Sequence, residues 1–112
     1  VDDNRDAAET LSALLGQLGH HALVANDGHQ ALRMMAGFQP QVVFLDLGMP
    51  GMSGYDVAAA IRRDPRHAGV KLVALTGWGG LADRQRTTES GFDRHLTKPA
   101  TMAAIEEALV LQ

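Results

Sequence analysis

The sequence contains no cysteine, and its tryptophan, tyrosine and phenylalanine content is only 4%. Without cysteine, structural disulfides and thiolate metal sites are excluded. The net charge of −3 gives no electrostatic reason to expect that this domain binds nucleic acid. No apolar run approaches the roughly 18 residues of a membrane span, and no signal peptide is recognisable. We therefore expect a soluble, cytoplasmic domain without membrane contact.

The 112 residues alternate between the two periodicities of secondary structure, and 46% of them are hydrophobic, as in ordinary globular proteins. Helical patterns cover residues 4–19, 29–38, 55–63, 81–90 and 100–111. Strands are predicted at residues 21–25, 41–47, 70–75 and 92–97, and the unbroken apolar run before Asp46 is typical of a strand that is buried on both faces. This alternation predicts one α/β domain over residues 1–112, with a parallel sheet between two layers of helices.

The first strand of this pattern is almost absent, because only Val1 precedes the acidic pair Asp2-Asp3. A central parallel strand cannot consist of one residue. We expect several apolar residues to precede Val1 in the natural protein, from which this domain would be excised. A folded chain that began at Val1 would have a truncated first strand and a destabilised sheet.

Each apolar run that ends at this side of the predicted sheet leads into a residue suited to phosphoryl chemistry. Val1 leads into Asp2-Asp3, and the later runs lead into Asp46, Thr76 and Lys98. Open parallel sheets bind ligands at the carboxyl ends of their strands. The pattern therefore brings three carboxylates, one hydroxyl and one ammonium to one edge.

Three carboxylates this close together need an offsetting charge. At about 5 Å and an effective dielectric constant near 20, each pair repels by roughly 3 kcal/mol. Oxygen donors of this kind suit Mg²⁺, which often bridges to phosphate. Taken singly, each residue has an ordinary alternative: Asp2-Asp3 as a helix cap, Asp46 and Thr76 as turn residues, and Lys98 as a surface lysine. The joint pattern favours a site.

Four segments of the sequence carry a family resemblance: residues 1–4, 46–54, 74–77 and 96–99. They read VDDN, DLGMPGMSG, ALTG and LTKP, and their order and spacing extend over nearly the whole chain. In these segments the sequence resembles the receiver domain of two-component response regulators. The resemblance implies a flavodoxin-like, doubly wound, five-stranded parallel sheet in the order 2-1-3-4-5.

The resemblance also implies roles for the acidic residues. Asp46 would be the phosphoacceptor, which attacks a phosphohistidine on a histidine kinase or a histidine phosphotransfer protein. Asp3 and Asp46 would bind Mg²⁺ directly, Asp2 through water and Gly48 through its backbone carbonyl. No independent turnover is implied beyond self-phosphorylation and autodephosphorylation.

The remaining site residues would read the phosphoryl group. Lys98 would neutralise one of its oxygens, and Thr76 would move to hydrogen-bond it. That movement would change the face formed by the fourth helix, fifth strand and fifth helix, which is also a candidate surface for a homodimer. His95 stands where receivers commonly carry Tyr or Phe as the second switch residue. It could make switching depend on pH, or be an ordinary surface histidine. Gly48 and Trp78 would form the rim of the site.

Other histidines and methionines show no spacing typical of metal ligands. We expect His20, His21, His29 and His67 to be surface residues, and Met34, Met35, Met49 and Met52 to be packing residues.

Alternative functions keep part of the same site. An aspartate-nucleophile phosphatase would carry a second Asp two residues after Asp46, where this chain has Gly48. A degenerate receiver that only contacts proteins would not need every phosphorylation residue. Residues 74–80, 91–93 and 95–96 are similar to receivers of hybrid sensor histidine kinases, so we expect that context. A stand-alone receiver or one from a transcription factor remains the alternative.

Overall fold

The computed structural model describes residues 1–77 and 81–110, with side chains from residue 85 onward in the second segment. Within these residues the helices are α1 (Arg5–Gln17), α2 (Gly28–Phe38), α3 (Gly54–Arg63), α4 (Leu81–Glu89) and α5 (Met102–Val110), and the strands are β1 (Val42–Asp46), β2 (Lys71–Thr76) and β3 (Arg94–Thr97). A 3₁₀ turn at Pro65–His67 precedes β2. The predicted α/β alternation is confirmed, and most element bounds differ from the prediction by one or two residues.

The sheet is parallel, and its strands lie in the order β1-β2-β3. Val42 pairs with Lys71 at the start of β1, and Thr76 pairs with Thr97 at the end of β2. The last three predicted strands are therefore neighbours in the predicted order.

The two other predicted strands do not form a ladder among the described residues. The backbone nitrogen of Val1 donates a hydrogen bond to the Phe44 carbonyl (2.6 Å), and the Val1 carbonyl accepts one from the Asp46 N–H (2.9 Å). The Asp2 N–H donates to the Ala25 carbonyl (3.0 Å) on the other side. Val1 and Asp2 thus lie between β1 and the segment that ends at Ala25, as the order 2-1-3 requires. A ladder needs several consecutive pairs, and two residues supply too few of them.

Both faces of the sheet are covered by hydrophobic residues, because successive strand residues point to opposite faces. Val43, Leu45, Leu72 and Ala74 pack with α2 and α3 on one face. Phe44, Val73 and Leu75 pack with α5 on the other, with the α1 leucines at the margin. The result is the predicted three-layer arrangement.

Helix α1 is less buried than its apolar stripe predicts. Ala8 is buried, but Leu11, Leu14, Leu15 and Leu18 are only half-buried. Of these, Leu11, Leu14 and Leu15 line part of an open cleft of about 1590 Å³ beside Val1, so they are not packed against other residues on that side. None of the helices in the described part of the chain is both long and apolar enough to cross a membrane.

Candidate functional site

The strand ends meet at one edge of the sheet, which we call the carboxyl edge. Asp46 is the last residue of β1, and Thr76 is the last residue of β2. Lys98 follows β3 directly, and its backbone N–H donates to the Thr76 carbonyl (2.7 Å). Asp2 and Asp3 precede α1, whose N-cap residue is Asn4. The structure thus brings the polar residues predicted at the strand ends to one edge.

The three aspartates form a compact cluster. One carboxylate oxygen from each of Asp2, Asp3 and Asp46 lies within 4.8 Å of the others. Asp2 and Asp46 are buried, whereas Asp3 is exposed. At such a separation each charged pair repels by about 3 kcal/mol at an effective dielectric constant of 20. A cluster of this kind requires a nearby positive charge.

Lys98 supplies a positive charge to two of the three carboxylates. Its Nζ atom lies 2.9 Å from Asp46 Oδ1 and 3.1 Å from Asp2 Oδ2. The lysine side chain is 33% exposed, whereas those of Asp2 and Asp46 are almost completely buried, so the ammonium links the buried pair while part of its side chain stays in contact with solvent. Residues nearly the whole chain apart therefore meet in one ion-pair network.

The protonation equilibria of this network are linked. Burial raises the pKa of Asp2 above its ordinary value, and its hydrogen bonds from Asn4 and Lys98 oppose this only in part. Burial also disfavours the charged form of Asp46, but hydrogen bonds from Lys98 and the Gly48 N–H outweigh it, so the pKa of Asp46 is lowered. Desolvation disfavours charge on Lys98, yet the two carboxylates raise its pKa overall. The surroundings thus favour the charged form of Asp46 more than that of Asp2.

The backbone around Asp46 is tightly packed. The Gly48 N–H donates to Asp46 Oδ1 (3.2 Å), and the Leu47 N–H donates to the Leu75 carbonyl (3.1 Å). A Cβ atom on Gly54 would collide with the Asp46 carbonyl, so the first residue of α3 must be glycine for this approach. The segment after Asp46 therefore folds back, so that Gly54 packs directly against the end of β1.

The donor set fits a hard divalent cation. The three clustered groups are carboxylates, which favour Mg²⁺ or Ca²⁺ over softer metals. Asp3 is exposed, so a cation that kept several water ligands could reach the cluster from solvent. The residues present therefore fit Mg²⁺.

The residues predicted to switch lie on β2 and β3. Thr76 is buried, with 6% of its surface exposed, and is one residue beyond the Asp46–Leu75 pair of the ladder. His95 is half-buried, and its Nδ1 atom lies 3.4 Å from the hydroxyl of the buried Thr87 on α4. Gly48 is exposed, which suits the predicted rim. The other predicted rim residue, Trp78, lies outside the described residues.

Two features were not foreseen from the sequence. Asn26, interpreted only as part of a turn, donates its side-chain amide to the Asp2 carbonyl. His67 is not the surface residue that was predicted, because its side chain is only 11% exposed. Its Nε2 atom lies 3.7 Å from Asp64 Oδ2. In both cases the contact depends on packing between elements or around a turn, for which the local sequence carries no periodic signal.

Comparison with known proteins agrees with this geometry. The family model described as the response regulator receiver domain matches residues 1–110. The chain belongs to the receiver domain family. Its place is therefore in two-component signalling, where receiver domains interact with histidine kinases or phosphotransfer proteins.

One curated relative of this receiver domain is a considerably longer protein. The DNA-binding response regulator MtrA of Mycobacterium tuberculosis is 39% identical over 99 residues, which are 88% of this chain and 42% of MtrA. The chain thus spans less than half of that relative's length.

Solved structures show the same fold. Chemotaxis protein CheY4 of Vibrio cholerae superimposes with a TM-score of 0.90 at 24% identity, over 96% of this chain and 90% of CheY4. The signal receiver domain of a histidine kinase from Syntrophus aciditrophicus gives a TM-score of 0.84 at 26% identity, over 96% of this chain and 81% of that one. The flavodoxin-like fold predicted for the receiver domain is confirmed.

Proposed function

We propose that this receiver domain accepts a phosphoryl group on Asp46 from a phosphohistidine of a histidine kinase or a histidine phosphotransfer protein. The observation that carries the proposal is the convergence of Asp2, Asp3 and Asp46 at the carboxyl edge, with Lys98 Nζ in contact with Asp2 and Asp46. A carboxylate oxygen of Asp46 attacks phosphorus while the bond from phosphorus to the histidine nitrogen breaks. The electron pair of that bond stays on the histidine nitrogen, and because the other ring nitrogen of the phosphohistidine carries a proton, the products are an acyl phosphate on Asp46 and a neutral imidazole on the donor.

The acidic cluster is the proposed Mg²⁺ site, with Asp3 and Asp46 as direct ligands, Asp2 acting through water, and Gly48 contributing its carbonyl. When bound there, Mg²⁺ would supply charge that screens the carboxylates and stabilises the transferring oxygens. The chain's own contribution is position: Asp46 is held by hydrogen bonds from Lys98 and Gly48, and these hydrogen bonds favour the carboxylate form that attacks phosphorus.

Lys98 and Thr76 are the proposed readers of the phosphoryl group. Lys98 already binds an Asp46 oxygen, so a short movement of its flexible side chain can follow the added charge. The Thr76 hydroxyl donates to a phosphoryl oxygen. Because the Thr76 carbonyl accepts from the Lys98 N–H, the two readers lie side by side at the ends of the neighbouring strands β2 and β3.

The proposed output is a change in the face formed by α4, β3 and α5. His95 on β3 contacts Thr87 on α4, so a rotation of the His95 ring would break or remake a contact between these elements. The same face is the proposed surface for a homodimer. Phosphorylation would thus be converted into a change of binding surface.

We further propose that residues 1–112 are one domain of a longer hybrid sensor histidine kinase. The receiver of the Syntrophus aciditrophicus histidine kinase supports that context. The relative MtrA instead supports a receiver followed by a DNA-binding segment. The flanking sequence of the gene product decides between them: a kinase ATP-binding domain before Val1, or a helix-turn-helix after Gln112.

Phosphorylation in vitro tests the site assignment. Incubation with acetyl phosphate and Mg²⁺ should add one phosphoryl group, and hydroxylamine should remove it because it is an acyl phosphate. Asp46→Asn should abolish the labelling, as should removal of Mg²⁺ by EDTA. Intact-protein mass spectrometry measures each outcome.

Asp56→Asn is the matched control. Asp56 is an exposed aspartate in the first turn of α3, ten residues after Asp46, and its hydrogen bonds are with Ser53 rather than with the acidic cluster. This variant should be labelled like the unsubstituted chain. Undiminished labelling of Asp46→Asn would refute the assignment of the phosphoacceptor.

A further inference from the structure

Asn26 contacts the backbone of Asp2, one of the three residues of the acidic cluster. Its side-chain Nδ2 donates to the backbone carbonyl of Asp2 over 3.0 Å. We propose that Asn26 is a positioning residue, which holds the Asp2–Asp3 peptide in the orientation that presents both carboxylates to Mg²⁺. This inference rests on the proposed function, because Asp2 and Asp3 are two of the residues proposed there to hold Mg²⁺.

The first turn of α2 holds Asn26 in place. The Asn26 N–H donates to Gln30 Oε1 over 2.8 Å, and the Gln30 N–H donates to Asp27 Oδ1 over 2.7 Å. Gln30 therefore binds the two residues that lead into α2, one through its side chain and one through its backbone. The position of Asn26 is set by the start of the helix rather than by a free loop.

The start of α2 is itself wedged against α3. Gly28 is buried, and a Cβ atom there would lie 2.7 Å from Val57 Cγ2 and 2.9 Å from Met52 Cγ. Met52 belongs to the segment that follows Asp46, and Val57 belongs to α3. The contacts from Met52 through Gly28 to Asn26 therefore link the Asp46 side of the site to the Asp2 side without passing through the carboxylates.

The Asp2 carbonyl is an effective point to hold. The Asp2 N–H donates to Ala25, and Asp2 Oδ1 accepts from the Asn4 N–H (3.0 Å). The carbonyl belongs to the peptide bond that leads into Asp3, the exposed member of the cluster. Holding this peptide removes conformational freedom that Mg²⁺ binding would otherwise have to remove, and it resists the mutual repulsion of the carboxylates.

A purely structural role for Asn26 makes a different prediction. If the amide only closed the turn before α2, its loss would lower the stability of the fold and leave the metal affinity of the folded protein unchanged. Ser53→Ala is a matched control. Ser53 is a neutral residue that caps α3, and its side chain hydrogen-bonds Asp56 rather than Asp2 or Asp3.

The test measures Mg²⁺ dissociation constants of the 112-residue chain by calorimetric titration at neutral pH, together with urea denaturation. Asn26→Ala should weaken Mg²⁺ binding by about tenfold, the lower end of the loss seen when outer-shell partners of metal ligands are removed. Ser53→Ala should be destabilised but should bind Mg²⁺ like the unsubstituted chain. Without metal, the Asn4 amide should exchange its hydrogen faster in Asn26→Ala, because its acceptor Asp2 is less well held.

The outcomes separate the two levels of inference. If the unsubstituted chain binds Mg²⁺ and Asn26→Ala binds it within twofold of that affinity, the positioning role is refuted and the proposed function stands. If the unsubstituted chain shows no Mg²⁺ binding, the proposed metal site fails, and the positioning role fails with it. If Asn26→Ala does not fold, Gln30→Ala takes its place and should weaken Mg²⁺ binding in the same direction, and an unchanged affinity refutes the inference.

Discussion

Lys98 is the residue on which the electrostatics of the site depend most directly. Its ammonium lies within 3.1 Å of oxygens from two buried carboxylates that are 44 positions apart in the sequence. The sequence predicted that Lys98 would stand at the carboxyl edge, because it follows an apolar run. It did not predict that the ammonium would bridge Asp2 as well as Asp46 before any phosphoryl group arrives. That depends on the distance between two strand ends.

Replacing this ammonium should destabilise the metal-free protein. In Lys98→Met the two buried carboxylates lose their shared cation, and the free energy of unfolding should fall by about 1–2 kcal/mol. This is below the cost of breaking a fully buried pair, because Lys98 is 33% exposed. Urea denaturation at pH 7 in EDTA measures the loss. Lys71→Met, at the opposite end of the sheet, is the control and should change stability less. Equal stability of Lys98→Met and the unsubstituted chain would contradict the prediction.

Helix α3 shows how a single element is fixed at both ends. At its start, Ser53 and Asp56 form a reciprocal capping box, in which Ser53 accepts from the Asp56 N–H and Asp56 accepts from the Ser53 N–H. At its end, Asp64 caps the 3₁₀ turn and pairs with Arg66, whose Nη2 lies 2.7 Å from Asp64 Oδ2. The predicted helical range 55–63 ends at the observed residue, Arg63, because Asp64 precedes Pro65 and the residue before proline is disfavoured in a helix. The sequence did not predict the ion pair.

The pair at the end of α3 should make stability depend on pH. Hydrogen bonds from Arg66 lower the pKa of Asp64 to about 2, below its unfolded value of roughly 3.9. Because the pKa of Asp64 is lower in the folded state than in the unfolded state, the stabilisation from the Asp64–Arg66 pair is fully present at pH values above the unfolded-state pKa. It is lost as the pH falls towards 2. Asp64→Asn should therefore be less stable than the unsubstituted chain at pH 7, and the difference should shrink by pH 3. Urea midpoints at pH 7, 5 and 3 measure it, and a pH-independent difference would refute the prediction.

At the scale of the whole molecule, Arg62 connects elements at the end of the sheet opposite the carboxyl edge. Its guanidinium donates to the carbonyls of Val70 (2.7 Å) and Gly91 (3.0 Å) and to Asp93 Oδ2 (2.8 Å). The same Asp93 oxygen accepts from the Leu72 N–H (2.8 Å). The Arg62 side chain of α3 thus connects the segment just before β2 with the segment just before β3.

Loss of this connection should affect global stability. Arg62→Met removes the guanidinium from three acceptors, of which Asp93 keeps its hydrogen bond from the Leu72 N–H. We expect a loss of about 2–3 kcal/mol in the free energy of unfolding, less than three independent charged hydrogen bonds would sum to. Arg63→Met is the matched control, because Arg63 is the exposed neighbour on the same helix, and its loss should stay within about 0.5 kcal/mol. Chemical denaturation of both variants measures the difference. Equal losses would show that Arg62 acts only through its helix.

The sequence by itself determined the architecture and most of the site. Apolar runs of four to six residues specify strands buried on both faces, and the first polar residue after each run must emerge at the carboxyl edge. Asp46 and Thr76 could be identified for this reason, whereas Lys98 follows the more polar strand β3, and the family resemblance supplied roles for all three. Tertiary structure alone decided the Lys98–Asp2 bridge, the Asn26 contact with the Asp2 carbonyl and the Arg62 connection, which join residues 96, 24 and 31 positions apart. Such hydrogen bonds depend on how elements pack against one another, and no local periodicity encodes that packing.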